Sequence, residues 1–396
     1  LSHAVKQNKA SLEEEFLPFA KPQISQEAID DVVECLKSGW LVTGPRVQQF
    51  EEMLKNYCQS PYALTLGSAT AGLFFVIQAL ELNPEDEVIT TPLTFVATTN
   101  AIVSVGAKPV FADIEEGTLN IDVNKIEPLI NKKTKAIMPV HFAGLPVDLD
   151  PLYALAKKYN LRVIEDAAHA IGAEYKGKKI GSFGDTQIFS FYANKTITTG
   201  EGGCITTRDP ALAKEIGLLR FHGIDREAWN RYGKNGSQDY EVIKPGFKSN
   251  MMDLQAAIGI HQLKSLDQFI AQRQVLVDEY QRLLSGWQEI TLPQKPSYDH
   301  KHAWHLFTVL INSDKCGIMR DEFMAALKNL NIGTGLHYKP VHLYPYYRKT
   351  FGYKEGDFPI AESVGNRIVS LPLFPAMTQT DQHRVIKAMK QVLRKN

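Results

Sequence analysis

The sequence predicts an α/β protein with a mostly parallel central sheet, followed by a smaller α+β region. Three observations predict it. Gly and Pro punctuate the chain at the spacing of alternating strands and helices. Two stretches read as βαβ crossovers with apolar strands buried on both faces. After about Ile260 the texture changes to a long amphipathic segment, then a mixture of short strands and helices.

In chain order, the first crossover is "DEVITTPLTFVATTNAIVSVGAKPVFADI": a strand to Thr90, a Pro turn, a helix through Val105 and a second strand ending at Asp113. The next begins at "KAIMPVHFAG", runs through the helix "LDPLYALAKKYN" and returns in "RVIEDAAHA". "DTQIFSF" and "CITT" are two more short strands, separated by "YANKTITTGEGG". "HQLKSLDQFIAQRQVLVDEYQRLL" is a linking helix, "HLFTVLIN" a strand, "MRDEFMAALKNL" a helix and "GTGLHY" a further strand. The expected organisation is a polar N-terminal arm over 1–16, a large domain over 17–260, and the linking helix with a small C-terminal domain over 261–396.

Composition narrows the function. With 396 residues and 44% hydrophobic content the chain can bury a large core and a second smaller one. Lys+Arg and Asp+Glu both number 44, so no overall field draws nucleic acid or an anionic membrane. The longest apolar run, "GLFFVIQAL", is too short to span a bilayer, and the first residues do not resemble a secretory signal. Four scattered cysteines, Cys35, Cys58, Cys204 and Cys316, suit a reducing compartment. A cytoplasmic protein is expected.

In an open α/β sheet, ligands sit beyond the carboxyl ends of the strands. Asp166 closes "RVIED" and Lys195 follows the strand that ends near Phe191, so both belong to one rim. Singly, Asp166 reads as a helix cap and Lys195 as a solvated loop cation. Together they match a pyridoxal phosphate site, which needs a lysine for the Schiff base and a carboxylate to hold the pyridinium nitrogen protonated. The small residues from Gly67 to Gly72 open a helix whose free N–H groups suit a phosphate, although capping alone also explains them. Ser190 adds a hydroxyl, and Phe95 is either a stacking ring or core.

In the order "SATAG", "TPLTF", "VHFAG", "VIEDAAHAIGAEYKGKKIGSFGD", "IFSFYANKTITTGEGG" and "GFKSNMMDLQAAIGIHQL", the chain resembles the DegT/DnrJ/EryC1/StrS sugar aminotransferases from about Leu17 to its end. That resemblance implies the aspartate aminotransferase-like fold of type I and pyridoxal 5'-phosphate as cofactor. It implies Lys195 as the Schiff-base lysine, Asp166 at the ring nitrogen, and Ser68, Ala69, Thr70 and Ser190 around the phosphate. Phe95 would cover the ring and His169 lie near its phenolic oxygen. Asn250, which from its residues alone reads as a helix cap, would reach the phosphate of a neighbouring subunit in a homodimer. Tyr192, His337 and His342 would line the sugar end. The implied partners are L-glutamate, 2-oxoglutarate and a 4-keto nucleotide sugar.

Other chemistries lack their motifs. There is no GxGxxG, GxxxxGK[ST] or GxSxG, and Asp166, His169 and His141 match no recognised metal-ligand spacing. A sugar dehydratase of the same fold resembles the chain but places histidine where Lys195 stands. A regulatory member without turnover has no need of an electron sink such as Lys195 and Asp166 would serve.

Overall fold

The computed structural model describes residues 15–225 and 240–393; most of the expected N-terminal arm therefore lies outside the described residues. The large sheet has seven strands: β1 (Tyr62–Leu66), β2 (Glu87–Thr90), β3 (Lys108–Phe111), β4 (Thr134–Met138), β5 (Arg162–Asp166), β6 (Thr186–Ser190) and β7 (Gly203–Thr207). Their spatial order is β1-β7-β6-β5-β4-β2-β3. All neighbours pair in parallel except those of β7, which is antiparallel to both β1 and β6. Six carboxyl ends consequently meet along one rim.

Strand side chains alternate between two cores. Ile137, Val163, Phe189 and Cys204 enter one, with Phe50 and Leu54 of α2 (Pro45–Cys58) and Leu152 of α5 (Leu149–Tyr159). Ala136, Ile164, Ile188 and Ile205 enter the other. That face is covered by α3 (Ala69–Ala79), α4 (Val96–Ser104) and α6 (Pro210–Leu219). Both faces being apolar explains the near-continuous hydrophobic strands of the sequence.

The linking helix α7 spans Asp253–Leu284, so it begins eight residues before the expected boundary and carries residue 260 in its interior. At 1.5 Å per residue its 32 residues reach about 48 Å. Its first half, with Ile260 and Leu266, belongs to the large core, and its second half, with Val277 and Tyr280, to the small one. The small domain is an antiparallel sheet of β8 (Ile290–Thr291), β9 (Phe307–Ile311) and β10 (Ile368–Leu371). Helices Arg320–Asn329 and Gln379–Leu393 belong to the same domain.

Two expectations need correction. Leu17 belongs to the small-domain core, not the large domain: it bridges to Ile332, and the Gly333 N–H donates to its carbonyl at 2.8 Å. The pairing partner lies over three hundred residues away, beyond the reach of any local pattern. "GTGLHY" is not a strand but an extended segment touching β10 through a single bridge, Gly335 to Ser370.

Arg273 of α7 holds the linking helix against the small domain. Its guanidinium is buried and donates to the carbonyls of Trp304, His305 and Leu373 at 3.1, 3.3 and 3.0 Å. Burial pushes its pKa down to about 10. One side chain thus pins the linking helix to two small-domain segments. Cys35, Cys58 and Cys204 are buried free thiols, and Cys316 is partly exposed. Among the described residues no helix is long and apolar enough to cross a membrane.

Candidate active site

A cavity of about 660 Å³ opens at the carboxyl rim beneath the small domain. Its lining includes Ser68, Ala69, Thr70, Phe95, Asp166 and His169. Ser190, Tyr192, Lys195 and His337 line it as well. Ten of the twelve residues singled out in the sequence therefore converge, because each follows a strand end or sits on the segment from the small domain.

Asp166 ends β5 and is buried. Its Oδ2 accepts from the Thr98 hydroxyl at 2.7 Å and its Oδ1 from the Ala168 N–H at 3.1 Å. Burial raises its pKa; those two bonds, Lys195 and His141 oppose the rise. Lys195 follows β6 in a turn closed by its own N–H on the Tyr192 carbonyl at 2.9 Å. Burial lowers its amine to about 8, against the pull of Asp166. With a pKa of about 8, roughly a tenth is uncharged at pH 7, and that fraction is nucleophilic.

Ser68 caps α3, its Oγ accepting from the Ala71 N–H at 3.1 Å. Capping and ligand binding are compatible, since the Ala69 and Thr70 amides at the helix start have no carbonyl one turn behind them. Gly203 lets β7 approach this turn: a Cβ there would lie 2.5 Å from the Ala69 nitrogen. Ser190 Oγ accepts from the Tyr192 N–H at 3.3 Å. Phe95 precedes α4 and is 56% exposed, so it is not core.

His169 is neutral, its pKa held well below 6.5 mainly by burial. Its Nδ1 accepts the Ala143 N–H at 3.2 Å, so the ring proton sits on Nε2, 3.2 Å from the Tyr338 hydroxyl. His337 anchors its Nδ1 on Ser370 Oγ at 2.7 Å, and burial lowers its pKa to about 3. Tyr338, which the sequence reading passed over, lines the cavity with its ring 6.1 Å from that of Phe95. Its place in "HYKPVH" was visible; its direction depends on the path of the segment. Asn194 was also missed. Its Oδ1 is buried at the cavity without a protein partner.

Two residues fall elsewhere. His342 is not at the sugar end: it is fully buried, with Nε2 2.9 Å from Glu362 Oε1 and its ring edge-on to Phe358 at 4.8 Å. Pro340 starts a short turn that carries Val341 and His342 into the core. Asn250 neither lines the lysine's cavity nor caps α7, whose cap is Met252. Its side chain bonds Thr43 and Lys248 in a separate cavity of about 360 Å³.

Behind Asp166, on the opposite face of β5, Glu165 is also buried. It accepts from Tyr153 Oη and Gln187 Nε2, both at 2.6 Å. His141 Nε2 stands 2.8 Å from it, and because His141 Nδ1 accepts the Val147 N–H at 3.0 Å, that Nε2 carries the proton. The His141 backbone N–H also donates to the Asp166 carbonyl at 3.1 Å. The three donors come from different elements, His141 after β4, Tyr153 on α5 and Gln187 on β6, so one carboxylate locks β5 to all three.

A lysine kept partly uncharged is a poor anion anchor but is what carbonyl chemistry demands. With a buried carboxylate on the same rim, free helix amides able to take a phosphate and an exposed Phe95 able to cover a ring, the residues fit pyridoxal phosphate. Fold and site define a pyridoxal phosphate-dependent transaminase of fold type I. Comparison with known proteins makes this particular: the DegT/DnrJ/EryC1/StrS aminotransferase family model matches residues 22–390, and the chain belongs to that family. It is 48% identical to the spore coat polysaccharide biosynthesis protein SpsC of Bacillus subtilis, covering 96% of this chain and 97% of the relative. It is 43% identical to a UDP-4-amino-4-deoxy-L-arabinose–oxoglutarate aminotransferase of Shewanella sediminis, covering 96% and 98%. PseC of Helicobacter pylori, an aminotransferase of pseudaminic acid biosynthesis, superposes with a TM-score of 0.90 at 30% identity, over 96% of this chain and all of that one.

Replacing Glu165 by Gln forces an N–H towards at least one of three donors. The variant should lose about 2 kcal/mol of stability, read as a lower urea midpoint at unchanged slope. An unaltered midpoint would contradict the lock.

Proposed function

We propose that the protein moves an amino group from L-glutamate to a 4-keto nucleotide sugar, with pyridoxal phosphate held at Lys195, for cell-surface polysaccharide or lipid. The observation that carries this reading is the depressed Lys195 amine in a cavity shared with buried Asp166. The names of the Bacillus, Shewanella and Helicobacter relatives support a sugar as acceptor.

The cofactor supplies an electron sink and a temporary carrier for the amino group. Lys195 Nζ would hold it, and the same Nζ would take the proton from the amino acid's α-carbon in the first half and return one to the sugar carbon in the second. The Asp166 carboxylate keeps the ring nitrogen protonated by close opposite charge. Ser68, Ala69, Thr70 and Ser190 bind the phosphate. Phe95 covers one ring face, and the neutral His169 stands by the phenolic oxygen without adding charge. Tyr192 and His337 receive the sugar.

Asn250 completes the phosphate site of a second copy. In support, Val242, Ile243, Phe247 and Met252 are exposed near it in sequence, and so is Val42, which is tied to the start of α7 through its carbonyl and the Asp253 N–H at 3.2 Å. An apolar surface of this kind suits a homodimer face.

Lys195→Ala should abolish the visible absorbance of the cofactor-loaded protein and its bleaching by glutamate. In the wild type, cofactor uptake by the apoprotein should accelerate as pH rises and level off above about 8, because only the neutral amine attacks a carbonyl. Turnover in the alanine variant, or uptake that slows with rising pH, would remove Lys195 from its role.

Asn250→Ala should retain pyridoxal phosphate about tenfold less tightly, the cost of a hydrogen bond to a charged group. Equilibrium dialysis with sedimentation checks both claims, and a fully loaded monomer would refute the shared site.

His337→Ala should slow the ketosugar half-reaction by about tenfold or more while sparing the glutamate half, since only the sugar loses a contact. Stopped-flow absorbance separates the halves, and a panel of 4-keto UDP-, GDP- and dTDP-sugars read by mass spectrometry identifies the acceptor. Equal slowing of both halves would place His337 with the cofactor instead.

A further inference from the structure

A second cavity, of about 290 Å³, lies between the domains on the far side of the Phe142–Ala143 turn. Its size is near the lower end of the roughly 300–1,000 Å³ typical of small-molecule sites. Nothing in the transamination chemistry uses it.

The lining holds donors and cations. Among the described residues Lys295 has no carboxylate within ion-pair distance, while Lys301 lies 3.4 Å from Glu174 and 3.6 Å from Asp267. His302 is neutral, its pKa well below 6.5 through burial. Its Nδ1 accepts the Trp304 N–H at 2.8 Å, so its proton is on Nε2, which has no protein partner. Gln281 and Gln294 add side-chain amides. No Asp or Glu lines this cavity. The carboxylates at its edge are engaged: Glu115 accepts from the Thr118 hydroxyl at 2.7 Å, and Glu116 is 3.4 Å from Arg367.

Rigid residues form the walls. The His302 and Trp304 rings stack at 3.7 Å, and the Trp304 indole N–H donates to Gln274 Oε1 at 2.6 Å. Trp304 adopts φ +47°, a conformation that costs a bulky residue about 1–3 kcal/mol and persists only where the surroundings enforce it. The partition from the lysine's cavity is one turn of backbone: Ala143 lines this cavity, yet its N–H donates to His169 on the other side.

We propose that this cavity binds a small anion, a carboxylate or a phosphate, held by Lys295, Lys301 and the His302 Nε2–H. Lys295 and a pre-set neutral donor face no carboxylate, and Lys301, shared with Glu174 and Asp267, adds a second cation at the edge; that set suits an anion and disfavours a metal ion or an amine. Because the wall carries the N–H that fixes the His169 tautomer, occupancy is expected to alter the catalytic cavity.

The test is calorimetric titration of the cofactor-loaded enzyme, whose own phosphate position is already filled, with citrate and separately with inorganic phosphate. Saturable binding of one anion per chain by either is expected; citrate alone identifies a carboxylate, phosphate alone a phosphate. Lys295→Glu, at an exposed position, should weaken binding by about tenfold or more with an unchanged melting temperature, and His302→Phe should weaken it as well. No saturable heat from either anion up to about 10 mM, or equal affinity in wild type and Lys295→Glu, would overturn the proposal.

Discussion

Side chains along a β-strand alternate, and on β5 that alternation puts Glu165 and Asp166 on opposite faces of the sheet. Glu165 joins the face of Val163, and Asp166 that of Ile164. The rest of the site depends on this split. One carboxylate is consumed by three donors and fastens β5 to α5, to β6 and to the segment after β4. The other is left at the rim with Thr98 and a backbone N–H, and with valence to spare for a ligand. A shift of one residue in register would exchange the two and empty the rim of its acid.

Charge within the catalytic cavity is sparse. His169, His305 and His337 all lie close enough to Lys195 to feel it, and burial keeps each of them neutral. Protonating any one would place a like charge near the lysine and lower its pKa further. The neutral imidazoles of His169 and His337 therefore line the site with hydrogen-bonding groups and leave the electrostatic contest to Lys195 and Asp166.

The small domain acts on the site through connections rather than through its core. Arg273 holds α7 to the carbonyls after the His302–Trp304 stack, and Ser370 on β10 orients His337. Removing the guanidinium would leave three carbonyls competing for water they cannot reach. The segment bearing His337 and Tyr338 is extended and touches its sheet by only one bridge, so its position rests on these anchors.

Much of this was legible in the sequence. The apolar strands, the crossover units and the rim positions of Asp166, Lys195, Ser190 and Phe95 follow from local pattern, because a residue just past a strand end is carried to the rim wherever that strand lies in the sheet. The small residues of 67–72 announced a helix start for the same local reason. Tertiary structure decided the rest. Leu17 joins the small domain by pairing with Ile332, and His342 turns into the core to meet Glu362, while Tyr338 four residues earlier in the same loop region turns outward to His169. Such directions depend on which distant segments offer partners to a loop. Sequence alone determined the elements and the chemistry at their ends; the facing of the loops was left to contacts between residues hundreds of positions apart, which no local periodicity encodes.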